Sequence, residues 1–227
     1  MKIADLKNII QAFRLFNYSL YATVRFIKIN FFQKNIHRKD GFLFVYPRVN
    51  WQIHKSANVE ILCNSYIGIP KVKASKTCSF FVMKEDSKLL IKRKCELAEG
   101  CDVQIHKHGK LFIDSFHSNV NLEISCGKCI TIGDDVTAGR HVSIKDFNGH
   151  RVSYKGYPIS APISIGNHVW LCTGCSITPG VTIGNGAVIA DNANVISDIE
   201  PATFNQGNPS KKIKSNITSV PLKRDDY

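Results

Sequence analysis

The pattern of apolar and polar residues is most regular between residues 165 and 200. Read in groups of six, this stretch has an aliphatic residue at each first position and a small or β-branched residue at each fifth position. Positions two to four collect Gly, Asn, Asp and Pro, which turn a chain sharply. The first positions are Ile165, Leu171, Ile177, Ile183, Ile189 and Val195, and the fifth are Val169, Cys175, Val181, Ala187, Ala193 and Ile199.

A period of six fits neither an amphipathic helix nor a hairpin strand, but it fits a solenoid of short strands. With three hexads to a triangular coil, we predict that Ile165 stacks on Ile183 and Leu171 on Ile189. A second regular block covers residues 120–144, and weaker hexads cover 53–63 and 91–103. Residues 65–90 lose the register, so we expect bulges or an excursion there.

Three motifs in the second half of the chain carry a family resemblance: IGNHVW, ITPGVTIGNGAVIADNANV and GNPSKKI. They resemble the hexapeptide-repeat acyltransferases, most of all the bacterial O-acetyltransferases that modify capsule or lipopolysaccharide O-antigen sugars. The resemblance is densest from Cys126 to Ile213. It implies a mainly β fold, a left-handed parallel β-helix, although the general rule for parallel crossovers favours the opposite hand. It also implies acetyl-CoA as acyl donor, no metal, and a homotrimer with active sites between subunits.

Residues 1–45 are predicted to form an amphipathic helical segment. Its apolar stripe is interrupted near Ser19, where the helix can divide into two, and Lys7, Arg14 and Arg25 lie beside the stripe. Two interpretations remain open: a helix packed on the β-helix or a neighbouring subunit, and an interfacial helix on anionic lipid. The stripe consists of Ile3, Leu6, Ile9, Ile10, Phe13, Phe16, Leu20, Val24, Ile27 and Phe31.

The remaining domain boundaries follow the repeat. We predict a left-handed β-helix over residues 46–200, interrupted by a loop at 145–164, and a C-terminal CoA-binding segment with a basic tail over 201–227.

The net charge of +12 is high for a chain with 44% hydrophobic residues. It indicates an anionic partner, and with the resemblance it favours CoA and an anionic membrane surface over nucleic acid. No apolar run reaches the ~18 residues of a membrane span, and the N-terminus lacks the features of a signal peptide. We expect a cytoplasmic protein, with a peripheral position on the inner face of the cytoplasmic membrane if the helix binds lipid.

Two CxxC pairs, Cys126/Cys129 and Cys172/Cys175, are the feature that would indicate zinc. The pairs lie much farther apart than the ~15–20 residues usual in a zinc ribbon. Cys126 and Cys175 also occupy a first and a fifth hexad position, where a small side chain fits a tight corner. We therefore expect packing roles for the cysteines.

The loop at 145–164 interrupts an otherwise strict repeat with the polar, aromatic sequence KDFNGHRVSYKGYPISAPIS. Insertions in solenoids leave the repeat as surface loops, where function concentrates. The resemblance places the catalytic histidine here, at His150. Asn148 occupies the position of the family's Asp, and Asp146 precedes it by two residues, so either is a candidate to orient His150.

A histidine suits acyl transfer because a neutral imidazole, with an ordinary pKa of ~6.5, can remove the proton of a sugar hydroxyl near neutral pH. His141 and His168 are the alternative bases. For acceptor binding the candidates are Trp170, Tyr154, Tyr157, His141 and His168, with Trp170 either a stacking platform or a trimer contact.

The resemblance also implies that the turns of the last coils and the segment beyond them bind CoA. Lys211 and Lys212 are candidates for its phosphates. The matching positions are Gly174, Cys175, Ser176, Thr178, Pro179, Gly180, Asn192, Ala193, Asn208, Pro209, Ser210, Lys211 and Lys212.

The predicted function is transfer of an acetyl group from acetyl-CoA to a hydroxyl of a bacterial surface polysaccharide. One alternative is acetylation of a small free sugar or sugar nucleotide. The other is a non-catalytic or zinc-binding β-helix, in which His141, His168 and a third histidine meet across an interface.

Overall fold

The computed structural model describes residues 3–72, 75–150 and 159–218 of the 227-residue chain. Its body is a β-helix in which each coil gives one strand to each of three sheets, in the order A, B, C. Sheet A consists of β1 (Ile36–Arg38), β4 (Asn58–Ile61), β7 (Lys88–Ile91), β10 (Lys110–Ile113), β13 (Cys129–Ile132), β16 (Ile163–Ile165) and β19 (Thr182–Ile183).

Sheets B and C complete the triangle. Sheet B consists of β2 (Leu43–Val45), β5 (Ser65–Ile69), β8 (Cys95–Ala98), β11 (Phe116–Ser118), β14 (Val136–Ala138), β17 (Trp170–Leu171), β20 (Val188–Ile189), β22 (Thr203–Gln206) and β23 (Lys211–Ser215). Sheet C consists of β3 (Val49–Ile53), β6 (Ser79–Met83), β9 (Asp102–Ile105), β12 (Glu123–Cys126), β15 (Ser143–Lys145), β18 (Ser176–Ile177) and β21 (Asn194–Val195). Neighbouring strands are parallel except β22 and β23, which are antiparallel.

The hexad positions line the interior of this triangle. Ile165 pairs in register with Ile183, and Leu171 with Ile189, so the predicted stacking is confirmed. All four side chains are buried. Each coil therefore covers its apolar face with the coils on either side, as in other solenoids.

The corners between sheets need left-handed backbone. At the corner between sheets B and C, Gly174 has φ +72°, and a Cβ there would lie 2.3 Å from the Oδ1 of Asn192. Only glycine meets both conditions, so its presence at this position has a structural cause.

The structure also locates the irregular parts of the repeat. Within residues 65–90, β5, β6 and β7 continue the three sheets, with a register shift between Ile67 and Ile69. The excursion lies between Ile69 and Ser79, of which residues 73 and 74 are outside the described residues. The β-helix begins at β1, ten residues before the predicted boundary.

The N-terminal segment is a helical cap on the first coil. It contains α1 (Ile3–Leu15), α2 (Leu20–Ile27) and a π-helical turn (Lys28–Phe32). Ser19 is the N-cap of α2, where its Oγ accepts a hydrogen bond from the N–H of Ala22 at 3.3 Å. The predicted break at Ser19 is therefore confirmed.

The cap covers the exposed edge of sheet B. The ring of Phe26 lies 5.0 Å from that of Phe44. Asn30 is buried and bonds both main-chain groups of Leu43: its Oδ1 accepts from the N–H at 2.8 Å and its Nδ2 donates to the carbonyl at 2.9 Å. The side chain thus satisfies part of the unpaired edge of β2, which would otherwise be open to another strand.

The predicted apolar stripe does not form one buried face. Four of its members are exposed, Leu6, Ile10, Leu20 (73%) and Val24 (56%), whereas Ala22 and Phe26 are buried. The chain adopts positive φ at Asn17 and at the residue after it, so α2 does not continue the face of α1. None of the helices in the described residues is long and apolar enough to span a membrane.

Candidate functional site

The loop after β15 begins and ends in a short antiparallel neck. The N–H of Ala161 donates to the carbonyl of Asp146 at 3.0 Å, and the N–H of Asn148 donates to the carbonyl of Ile159 at 2.9 Å. The neck holds the segment up to His150 at a fixed place beside sheet C. Tyr154 and Tyr157, predicted to contact the acceptor, lie outside the described residues.

Asp146 anchors this neck to the preceding coil. Its carboxylate is fully buried and accepts backbone hydrogen bonds from Gly127, from Lys128 at 2.9 Å and from Cys129 at 2.6 Å. Converging N–H groups of a turn are a strong site for a carboxylate. Since both oxygens are engaged by the main chain, the structure gives Asp146 a task other than the predicted orientation of His150.

The turn that binds Asp146 also packs against Phe147, the residue after Asp146. A Cβ on Gly127 would lie 2.7 Å from the Cβ of Phe147, so glycine allows Phe147 to lie over this turn. Beyond Phe147, the N–H of His150 donates to the carbonyl of Asn148 at 2.8 Å, and Gly149 between them has φ +71°. This tight turn leaves the side chain of His150 exposed.

His150 borders a cleft of about 280 Å³, the His150 cleft, on the outer face of sheet C. Five of its eleven lining residues occupy outward positions of β9, β12 and β15, where polar residues alternate with buried ones. It is lined by Asp102, Gln104, His106, Glu123, Ile124, Ser125, Lys145, Phe147, Asn148, Gly149 and His150. The contribution of β9 and β12 was not predicted, although their alternation of polar and apolar residues is visible in the sequence.

His106 is the main addition to the predicted site. Its Nε2 lies 3.0 Å from the Oγ of Ser125, and its ring centroid lies 5.1 Å from that of Phe147. Burial lowers the pKa of His106, nearby Lys84 lowers it further, and Asp146 opposes them. A neutral imidazole beside a hydroxyl can accept and donate hydrogen bonds to sugar hydroxyls.

The charged side chains of the cleft are partly paired. Lys145 Nζ lies 2.7 Å from the Oε1 of Glu123, and Ser143 Oγ donates to the Oε2 of Glu123 at 3.2 Å. Gln104 Nε2 donates to the Oδ1 of Asp102 at 3.1 Å. The lining thus has two carboxylates and one lysine, in contrast to the positive charge of the whole chain.

Several predicted CoA-binding residues continue the same face of sheet C beyond the cleft. Ser176 Oγ donates to the Oδ1 of Asn194 at 3.0 Å, and Asn194 Nδ2 donates to the Oδ1 of Asn208 at 3.2 Å. The N–H of Ser210 donates to the carbonyl of Asn194 at 2.8 Å. These contacts form a polar row from β18 to the segment after β22.

Other members of the predicted CoA set have structural contacts. Cys175 and Ala193 are buried, and their carbonyls accept hydrogen bonds within the β-helix, from the N–H groups of Ser143 and Ser176. Thr178 Oγ1 donates to the carbonyl of Val195 at 2.9 Å. Lys212 Nζ lies 2.6 Å from the Oε2 of Glu200. Five more lie at turns or are exposed: Pro179 and Gly180 follow β18, Asn192 lies at a corner, and Pro209 and Lys211 are exposed.

The predicted acceptor residues do not gather around His150 within one chain. Trp170 lies on the outer face of sheet B and is 49% exposed. His141 lies at the corner between sheets B and C, with Nε2 3.4 Å from the Nδ2 of Asn121. His168 lies at the corner between sheets A and B, with Nδ1 3.1 Å from the Oδ2 of Asp135. These residues can join His150 in one site only across a subunit contact.

The cysteine chemistry does not favour a metal. Burial raises the pKa of Cys175 to about 12 and that of Cys172 to about 11, and it also raises the pKa of Cys126. Metal binding needs thiolates, which these environments disfavour. Among the described residues, no three His, Cys, Asp or Glu side chains are grouped to hold an ion.

Comparison with known proteins gives two informative relatives. The chain is 32% identical over 148 residues to a putative acetyltransferase of Schizosaccharomyces pombe, covering 63% of this chain and 68% of the relative. It is 38% identical over 104 residues to galactoside O-acetyltransferase of Escherichia coli K12, covering 44% of this chain and 51% of that protein. The match thus spans about half the length of the galactoside enzyme. No protein-family model matches the chain.

Among solved structures, AntD of Bacillus cereus, an N-acyltransferase in complex with dTDP and 3-hydroxybutyryl-CoA, shares the fold. The TM-score is 0.52 at 17% identity, with 87% of this chain and 89% of that chain covered. The three parallel sheets and this likeness define a left-handed β-helix of hexapeptide repeats. With the relatives above, the chain belongs to the hexapeptide-repeat acetyltransferase family. The predicted family and fold are confirmed.

Proposed function

We propose that the protein transfers an acetyl group from acetyl-CoA to a hydroxyl of a carbohydrate, with His150 as general base. The observation that carries this proposal is the position of His150 on an anchored neck at a polar cleft of about 280 Å³. The name of the relative galactoside O-acetyltransferase supports both the oxygen acceptor and the sugar. We extend the proposal to a capsule or O-antigen polysaccharide as the acceptor.

In the proposed reaction, the imidazole of His150 takes the proton of the acceptor hydroxyl while that oxygen attacks the carbonyl carbon of the thioester. The carbon–sulfur bond then breaks as the tetrahedral intermediate collapses, and the imidazolium returns the proton to the leaving thiolate. A backbone N–H near the carbonyl would stabilise the oxyanion. Both substrates bind together, so no acyl-enzyme forms. Asp146 supports this chemistry indirectly, since it holds the neck from which His150 projects.

The composition of the His150 cleft favours a neutral sugar residue. Asp102 and Glu123 outnumber Lys145, and the lowered pKa of His106 keeps that side chain neutral near pH 7. An anionic acceptor, such as a sugar nucleotide, would bring its charge toward two carboxylates, which costs free energy. A neutral sugar instead offers hydroxyls to Gln104, His106 and Ser125. The cleft therefore supports the polysaccharide or free-sugar acceptor over the nucleotide.

The acyl donor is assigned to the polar row on sheet C that leads from the cleft to the segment after β22. Ser176, Asn194 and Asn208 are joined by hydrogen bonds along this row, and Lys211 is exposed beyond them. An extended donor with phosphates at one end fits a row of this kind that ends near a cation. We further propose a homotrimer, because Trp170 can reach His150 only from another subunit.

The test is thiol release from acetyl-CoA with three acceptors: a neutral oligosaccharide, an oligosaccharide of uronic acids and a nucleotide sugar. We expect release with the neutral oligosaccharide, its loss in His150→Ala, and normal release in the matched control His37→Ala, which alters an exposed histidine on β1. Faster reaction with the nucleotide sugar would overturn the neutral acceptor. Absence of release with every acceptor, together with bound zinc, would favour the non-catalytic alternative.

A further inference from the structure

We propose that the N-terminal cap binds the surface of an anionic phospholipid bilayer through its outer face. This outer cap face consists of the exposed side chains of both helices and the π-helical turn. Its members are Leu6, Lys7, Ile10, Arg14, Leu20, Tyr21, Val24, Lys28 and Phe32.

The apolar part of this face is unusually exposed. Leu20, Tyr21 and Phe32 are each more than 70% exposed. Among the described residues, seven of the twelve most exposed large apolar side chains lie between residues 6 and 32, so the exposure is concentrated in the cap. Leu20, Val24, Lys28 and Phe32 follow at steps of four, which places them along one side of the helix. A concentrated apolar patch of this kind marks an interaction surface.

The charges of the cap are mostly positive. Residues 3–34 contain five cations and one acid, Asp5. Arg25 is not available to a ligand, because its Nη2 donates to the carbonyl of Val49 at 2.6 Å. Among the cations predicted to lie beside the apolar stripe, Lys7 and Arg14 are exposed and Arg25 is not. Lys28 is the third exposed cation of this face. Exposed cations around an apolar face are the features by which a helix lies on anionic lipid.

The buried side of the cap is already occupied, which leaves the outer face for a partner. Phe26 and Asn30 contact the first coil through Phe44 and Leu43. A second copy of the chain is a poorer occupant, because each copy has a net charge of +12 and would present further cations to this face. Anionic headgroups match the cations, and the acyl region accepts the apolar side chains.

This proposal is independent of acetyl transfer, because its readout is membrane binding. If the proposed function also holds, the cap would place the His150 cleft near glycans built at a membrane. Failure of the binding test would leave the acceptor assay unaffected, and the reverse is also true.

The experiment is co-sedimentation of the full-length protein with vesicles of equal parts phosphatidylglycerol and phosphatidylcholine, and with phosphatidylcholine alone. We expect retention on the anionic vesicles only, weakening as salt rises from about 0.01 M to about 1 M and the Debye length falls from about 30 to about 3 Å. The triple variant Lys7→Glu, Arg14→Glu, Lys28→Glu should reduce partitioning by about 100-fold or more. The apolar variant Leu20→Ser, Tyr21→Ser, Val24→Ser should also lose binding.

The matched control is Lys55→Glu, Lys88→Glu, Lys110→Glu, which changes the net charge equally at exposed sites on the β-helix. Retention of the control with loss of the cap variants supports the proposal, provided circular dichroism shows that each variant is folded. Three outcomes overturn it: no retention of the wild type at low salt, equal loss in the control, or dissociation of the oligomer by the cap variants. The last would identify the outer cap face as a contact between copies.

Discussion

The Asp146 carboxylate accepts a hydrogen bond from the backbone N–H of Cys129 at 2.6 Å. This bond joins the first residue of the loop to a turn in the preceding coil, and two more N–H groups of that turn bond the same carboxylate. The position of His150 therefore depends on an acid that does not take part in the proposed proton transfer.

Replacing Asp146 should destabilise the protein. Asp146→Ala leaves three backbone N–H groups of a partly buried turn without their acceptor. An unsatisfied buried donor costs ~1–3 kcal/mol. We expect the free energy of unfolding in urea to fall by about 3 kcal/mol or more. Asp146→Asn should be destabilising as well, because its NH₂ would face N–H donors. The matched control is Asp135→Asn, an exposed acid at a corner. Unchanged stability of Asp146→Ala would contradict the anchoring role.

Replacing His150 should affect turnover and leave stability unchanged. The side chain is exposed and lies outside the repeat, so His150→Ala should keep the wild-type melting temperature and affinity for acetyl-CoA. Transfer should slow by ~10²–10⁴-fold, the usual effect of a positioned general base. Steady-state kinetics measure the transfer rate, and isothermal titration calorimetry measures the affinity for acetyl-CoA. Near-normal turnover would transfer the role of base to His141 or His168.

His106 should make stability depend on pH in a defined window. Its folded-state pKa is lowered, chiefly by burial, so the unfolded chain binds the proton more readily than the folded one. Protonation of His106 should therefore leave the free energy of unfolding unchanged above pH ~6.5. Below that pH, the free energy of unfolding should fall as the pH drops toward the folded-state pKa. His106→Gln should flatten this part of the curve in urea denaturation. An NMR titration with the His106 pKa above ~6.5 would contradict the prediction.

The sequence pattern predicts the core of the fold better than the site. Ile165 and Ile183 could be paired in advance because a hexad repeat fixes which residues stack. The anchoring role of Asp146 could not be predicted, because it depends on three main-chain N–H groups that converge at residues 127–129. His106 lies between two stretches of hexads, where the sequence shows no register. Its contact with Ser125 in the next coil could therefore not be predicted. Leu20 and Val24 were misplaced because a turn with positive φ reorients α2.

Thiol reactivity should follow burial. Cys78 is exposed, whereas burial raises the pKa of Cys101 to about 11 and that of Cys175 to about 12. Since the thiolate is the reactive form, a disulfide reagent at pH 8 should modify Cys78 quickly and the buried thiols only after denaturation. Cys78→Ser should remove the fast phase. Cys63 and Cys129 are half-buried, so a second variant also carries Cys63→Ser and Cys129→Ser. Persistence of the fast phase in that variant would show that an interior thiol is accessible in the native protein.

The separation of Trp170 from His150 allows a test of the proposed intersubunit site. Trp170 is on the outer face of sheet B, and His150 projects from the loop between sheets C and A, so one chain cannot bring them together. If both contribute to one site, His150→Ala and Trp170→Ala should each be nearly inactive as homotrimers. Refolding an equal mixture should restore about a quarter of wild-type activity, because random assortment gives that share of interfaces with both native residues. Sedimentation analysis should confirm a trimer throughout. A fully active monomer, or a mixture no more active than its parts, would show that the two residues do not share a site.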